Sequence, residues 1–266
     1  PWAAWPMTAA SAPGQGLNFE YIKGGCAMKS LDMMLAAIQP PDRAAMDAAR
    51  AHQTRLAKPP GSLGRLEDLS VQLAGITGQV HNRMDKKHLL VFASDNGVVA
   101  EGVSSAPQSV TLQQTINLTH ARTGAAVLAR HFGCGITVCD VGVNADIGDS
   151  AVVGRKIAYG TQNIARGPAM SRVQALAAIE TGFSLAAETD ADVLGVGEMG
   201  IGNTTTSSAV LAVLLPADAE DVTGRGGGIT DEGFAKKKAV IRSAIALNRP
   251  DRSDPVDVLS KVGGFD

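Results

Sequence analysis

The stretch VLGVGEMGIGNTTTSSAVLAV, residues 193–213, constrains the fold more than any other part of this chain. An apolar run of strand length ends in Glu198, a glycine turn follows, and Asn203, Thr204 and Thr205 open a helical run. That order of parts builds an anion site. Glycines let backbone N–H groups close around an oxyanion, and the positive end of the following helix points at the same place. A carboxylate beside phosphate-binding donors is electrostatically awkward, so Glu198 points to chemistry on a phosphorylated substrate rather than simple anion capture. Strand–glycine–helix turns also occur in purely structural βα units, and that alternative stands beside the functional one. GxxxxGK[ST] is absent, which disfavours a nucleotide triphosphatase; Gly195, Gly197 and Gly200 do fall at GxGxxG spacing, but the first two lie inside the apolar run rather than after it, which disfavours a dehydrogenase.

The rest of the chain alternates in the same manner. Short apolar runs at residues 89–94, 136–141 and 193–197, with a weaker one at 156–159, read as strands. Helical patterns fall at residues 111–131, 171–188, 204–214 and 231–247. Such alternation predicts an α/β fold, a parallel sheet covered by helices on both faces, with function at the carboxyl ends of the strands. Polar residues collect there: Asp95 and Asn96 after the first strand, Asp140 and Asn144 around the end of the second, Glu198 after the third. Residues 28–78 differ, with apolar residues at three- and four-residue spacing and no strand pattern, so residues 28–80 are expected to form a helical subdomain and 81–266 the α/β core. Within that subdomain KPPGSLGRLEDL reads as a corner between two helices, with Ser62 capping the second.

A second glycine loop, TGRGGGITDEG at residues 223–233, precedes the helix carrying Lys236, Lys237 and Lys238. A glycine loop alone is often only flexible, and a run of lysines is usually a solvated face. Two such loops at helix N-termini favour a shared phosphate pocket, one lysine supplying a point charge. The long polar connection at residues 94–114 is where an α/β enzyme would hold a second substrate, or else an ordinary surface loop.

Composition narrows the partners. A formal charge of −2 with interspersed signs, and no aromatic-basic interleaving, excludes an electrostatic footprint for nucleic acid. The three cysteines lack CxxC spacing and the five histidines lack ligand spacing, so neither metal nor cofactor is expected. No apolar run has bilayer-spanning length and no signal peptide stands at the start, which points to a cytoplasmic protein without membrane contact. The first 27 residues differ in texture from the rest, and Lys23, Gly24 and Gly25 can be encoded by a ribosome-binding sequence just upstream of Met28. Residues 1–27 are therefore expected to be translated leader or disordered tail. Few clear strands and an end directly after a helical run lead to the expectation that the C-terminal part of the fold is missing.

Five motifs carry a resemblance to the nicotinate-nucleotide:dimethylbenzimidazole phosphoribosyltransferases of cobalamin assembly. They are residues 58–78, SDNGVVAEGVSSAPQSVT (94–111), NIARGPAMSR (163–172), GVGEMGIGNTTTSSA (195–209) and DPVDVLSKVGGFD (254–266). The resemblance implies a Rossmann-like sheet with a small helical domain, a homodimer, and transfer of phosphoribosyl from nicotinate mononucleotide to dimethylbenzimidazole or a similar base, releasing nicotinate and α-ribazole phosphate. It implies further that Glu198 is catalytic and that Gly200, Asn203, Thr204, Thr205, Gly226, Gly228 and Lys237 take the phosphate and ribose. Gln114, Ala106 and Ile201 would line the base pocket. The family's general-base glutamate, in a glycine-rich motif near the C-terminus, is absent from these residues, so the chain as given is expected to be weakly active or inactive. Ala106 stands where some members carry serine, and Asn96 where many carry histidine, which leaves the accepted base open. A binding module without turnover, or a transferase using a purine or phenol acceptor, are the competing readings.

Overall fold

The computed structural model describes residues 16–17 and 31–266. The expectation for residues 1–27 therefore lies outside the described residues except at Gly16–Leu17. The chain divides into two compact units, Pro1–Asp85 and Lys86–Asp266.

The first unit is built from α1 (Leu31–Ala36), α2 (Arg43–Gln53) and α3 (Arg65–Thr77). It contains one feature the helical pattern did not predict, a two-residue antiparallel pairing of β1 (Gly16–Leu17) with β2 (Ile38–Gln39). Helices α2 and α3 pack through Ala45, Ala49, Val71 and Ala74, small side chains that let the helix backbones approach closely. Asp42 caps α2 by accepting from Ala45 N at 3.0 Å. The expected cap at Ser62 is not made. Helix α3 starts three residues later, after Gly64, and the task falls to Glu67. Its carboxylate accepts from the Leu63 N–H at 3.2 Å and pairs with Lys58 at 2.6 Å, closing the KPPGSLG corner.

The second unit holds a four-stranded parallel sheet in the order β5-β4-β3-β6, from β3 (Lys87–Ser94), β4 (Gly135–Gly142), β5 (Val152–Gly154) and β6 (Val193–Met199). Alternate side chains along each strand face opposite sides. Leu90, Phe92, Cys139 and Val141 enter the larger core, which also takes Ala175, Leu185, Ala209, Ile241 and Val258 from the helices on that face. Val91 and Val138 pack with Leu118 on the other. The helices are α4 (Ser109–Thr119), α5 (Gly124–His131), α6 (Arg172–Glu188), α7 (Asn203–Leu214), α8 (Ala219–Val222), α9 (Asp231–Asn248) and α10 (Pro255–Val262). Among the described residues β6 is an edge strand, and its Val196 is 78% exposed.

Two expected elements differ. The helix expected over residues 111–131 is two helices, because Ala121 takes the left-handed conformation at φ 51° and Thr123 caps a new start by accepting from Ala126 N. The weak strand expected at residues 156–159 is instead the three residues of β5, just ahead of Lys156, whose ammonium pairs with Asp140 at 2.8 Å. Helix α6 starts as its sequence dictates, with a full capping box between Ser171 and Gln174.

Candidate active site

The carboxyl ends of β3 and β6 lie side by side, Phe92 in register with Glu198 and Ala93 with Met199. Glu198 stands one residue before the end of β6, its carboxylate accepting from the Asn203 side-chain amide. The residue as a whole is exposed, yet its carboxyl end is enclosed enough that burial raises its pKa above the ordinary glutamate value. The turn that follows requires glycine at two places. A side chain at Gly200 would run into Asp266, Ser94 O and Asn96, and Gly202 sits at φ 93° with Val99 where its Cβ would go. The N-terminus of α7 opens at this point, its dipole favouring an anion, although the Asn203 and Thr205 N–H groups turn back onto Gly200 O at 3.2 Å and Gly202 O at 2.9 Å.

Lys237 is the centre of the second half of the site. Its position one turn and a half into α9 places it on the face turned toward α7, and it is 1% exposed. Its ammonium donates to Thr204 Oγ1 at 2.7 Å and to Gly224 O at 3.0 Å. No carboxylate pairs with it among the described residues, and burial pulls its pKa down. The neighbouring lysines are occupied otherwise or exposed: Lys238 pairs with Glu220 at 2.5 Å over the Phe234 ring, and Lys236 is exposed. Gly226 closes on the same point, since a Cβ there would lie 2.9 Å from Thr204 Oγ1 and 3.5 Å from the Lys237 ammonium. The two glycine loops are thus joined by one Thr204–Lys237 contact. Gly228, at φ 95°, serves the turn of the loop and has open space where its Cβ would be.

The polar connection after β3 borders both loops. A Cβ on Gly227 would lie 3.2 Å from Ser105 Oγ, which sets Ser105 and its neighbour Ala106 against the second loop. Ile201 N donates to Thr111 Oγ1 at 3.0 Å, tying the first loop to α4 one turn before the half-buried Gln114. The segment at residues 161–170 braces this connection: Thr161 N donates to Asp95 O at 3.0 Å, and Asn163 Nδ2 to Glu101 Oε1 at 2.7 Å. Sequence reasoning gave that segment no role in the site. Its apolar Ile164, Ala169 and Met170 were the available signal, since all three are buried.

Two expected residues fall elsewhere. Thr205 is fully buried with its hydroxyl unpartnered, turned about 100° around the helix from Thr204, so its side chain faces the core and not the pocket. Asn96 is likewise fully buried, with Asp266 and Thr206 around it, so its identity is set by that network rather than by an incoming base. Asp266 lies against the Gly200 turn beside Asn96, with Thr206 bonded to Asn96, and neither Asp266 nor Thr206 was expected in the site.

A parallel sheet whose β6 runs into a glycine turn, with a second glycine loop ahead of α9 joined to it by a buried ammonium, is the frame of an α/β enzyme with an anion site. Residues 38–266 match the family described as Phosphoribosyltransferase. The chain is 51% identical over 243 residues to the nicotinate-nucleotide–dimethylbenzimidazole phosphoribosyltransferase of Desulforudis audaxviator (strain MP104C), covering 90% of this chain and 69% of that protein. It is 50% identical over 224 residues to the protein of the same name from Acetivibrio thermocellus, covering 83% and 64%. The crystal structure of CobT from Thermus thermophilus superposes with a TM-score of 0.78 at 38% identity, over 84% of this chain and 68% of that one. The chain belongs to the nicotinate-nucleotide–dimethylbenzimidazole phosphoribosyltransferase family and spans about two thirds of the length of these relatives.

Proposed function

We propose that the protein transfers phosphoribosyl from nicotinate mononucleotide to dimethylbenzimidazole or a close aromatic base, giving α-ribazole phosphate and nicotinate. The observation that carries this reading is Lys237, a buried ammonium bonded only to a hydroxyl and a carbonyl among the described residues. A buried charge without an opposite charge is costly, and a phosphate group seated on the two glycine loops neutralises it. With the phosphate held there, the ribose extends toward Glu198. The base nitrogen attacks C1′ from the face opposite nicotinate, the glycosidic electron pair leaves with the pyridine nitrogen, and the azole N–H proton passes to a carboxylate. We assign to Glu198 that proton and the stabilisation of the positive charge that develops on the sugar, supported by its carboxylate at the end of β6 beside the Gly200 turn. Gln114, Ala106 and Ile201 border the space left for the base. The names of the relatives, given above, support the choice of donor and acceptor.

The homodimer implied by the family likeness and the cytoplasmic location expected from the sequence belong to the same reading. Among the described residues no helix is long and apolar enough to cross a membrane. The test uses the full-length gene product with nicotinate mononucleotide and a panel of benzimidazoles, purines and phenols. Base-dependent nicotinate release, with a product of the mass of a riboside phosphate, is the expected result. Tight binding of both substrates without release would identify a binding module instead.

A further inference from the structure

The second glycine loop is fastened by its one arginine. Arg225 stands between Gly224, whose carbonyl takes the Lys237 ammonium, and Gly226, which closes on Thr204 and that same ammonium. Its own carbonyl accepts from Gly228 N at 3.2 Å and from Ile229 N at 3.4 Å, which folds residues 225–229 into a turn with Gly226 at φ 57° and Gly228 at φ 95°. The guanidinium fastens the far end of that turn. Nη1 donates to Ile229 O at 3.1 Å, Nη2 pairs with Asp231 in the first turn of α9, and the central carbon lies 4.8 Å from the centre of the Phe234 ring. Ile229 is buried, so the turn is tied to the core at that point. The N–H groups of Gly226 and Gly227 meet no acceptor among the described residues, and both glycines are exposed. Two consecutive free N–H groups beside a buried ammonium make a concave anion cradle.

From this geometry, and resting on the reading of the two loops as the phosphate site, we propose that Arg225 is a positioning residue for the nucleotide: it holds the second glycine loop in its binding shape, so that the Gly226 and Gly227 N–H groups and the Lys237 ammonium meet the phosphate together. Glycine has more backbone freedom to lose than any other residue, and a loop that must be ordered on binding loses affinity by that amount. Arg225 orders this one beforehand. The guanidinium is not itself a ligand in the arrangement, since its terminal nitrogens are engaged by Ile229 O and Asp231 and its face by Phe234. Arginine suits the task because its planar fork donates to a carbonyl and a carboxylate at once while its face covers a ring, and a lysine has only one nitrogen. The Asp231 pair alone would be weak, because that carboxylate is exposed. Joined to the Ile229 and Phe234 contacts, it closes the turn.

Variants of the full-length protein test this, read by steady-state kinetics and by calorimetry with inorganic phosphate. Arg225→Ala is expected to raise the KM for nicotinate mononucleotide about tenfold and to weaken phosphate binding by a similar factor, while kcat and the KM for the base hold. Asp231→Asn separates holding the loop from touching the ligand. As part of the clasp, its loss should raise the nucleotide KM about two- to threefold. A guanidinium that was itself a ligand would be freed by the same change, and the KM would fall. A lowered KM in Asp231→Asn would therefore overturn the proposal, and so would an unmoved KM and phosphate affinity in Arg225→Ala with only a lower melting temperature. Asp231 is an exposed side chain, so its variant keeps the test open if Arg225→Ala does not fold. If phosphate binding weakens in Arg225→Ala while neither the variants nor the parent protein transfers phosphoribosyl, the functional reading fails and the clasp stands.

Discussion

On the proposed reading, Lys237 and Glu198 divide the site between binding and chemistry. Removing the ammonium in Lys237→Ala deletes the charge that meets the phosphate, so the KM for nicotinate mononucleotide is expected to rise on the order of a hundredfold, a charge-assisted contact being worth about 1.5–3 kcal/mol. The KM for the base should change little, and so should either constant in Lys238→Ala, whose ammonium is committed to Glu220. Steady-state kinetics with each substrate varied in turn checks this. Equal effects at both lysines would reduce the run to a solvated face. In Glu198→Gln the phosphate donors remain, so nucleotide affinity should hold while kcat falls by about a hundredfold. The sign of the pH effect follows from the raised carboxyl: the active form is ionised, so kcat should climb as pH rises through a midpoint above the ordinary glutamate value, and the glutamine variant should lose that limb. Residue by residue, the structure brings Gly226, Thr204 and Lys237 together, and the sequence could group them because each type has a physical reason to stand in the proposed anion site. Thr205 could not be placed, since a string of three threonines does not say which one the helix turns inward. Asp266 was invisible for another reason: only the folded chain brings residue 266 beneath residue 200.

At the scale of elements, strands and capped helices followed local chemistry, and the errors fell where a single backbone conformation overrode a continuous pattern. The helical periodicity of residues 111–131 runs straight through Ala121, and nothing in its side chain announces a positive φ. That strain is testable. A left-handed alanine costs roughly 1 kcal/mol relative to glycine at the same angles, so Ala121→Gly should stabilise the protein by up to about that amount, less the added entropy of the unfolded chain. Denaturant unfolding measures it, and a loss of more than about 1 kcal/mol would mean that the alanine methyl packs in a way the break between α4 and α5 does not explain. The cap at the start of α3 teaches the same lesson in reverse. Ser62 has the right side chain for a cap but sits in the turn before the helix, and the Lys58–Glu67 pair does the fastening.

For the whole molecule, the parallel sheet and the placing of its site at the strand ends follow from alternation of strand and helix patterns alone, whereas the strand order required the folded chain. β3, first in sequence among the four, lies between β4 and β6 and thereby brings the 94–108 connection next to Glu198. The β6 edge carries Val193 and Val196 exposed, an apolar strand edge of the kind that promotes association. Val196→Lys is expected to suppress concentration-dependent light scattering of the 266-residue chain; undiminished scattering would place the sticky surface elsewhere. The central claim is that one phosphate-anchored site delivers the ribose to a base from the face opposite nicotinate. Its most direct test is the anomeric configuration of the product, read by NMR after a single turnover of the full-length protein on nicotinate mononucleotide and dimethylbenzimidazole. The expected result is an α-riboside phosphate formed in equal amount with free nicotinate. A β-riboside, or nicotinate released without any riboside, would contradict it.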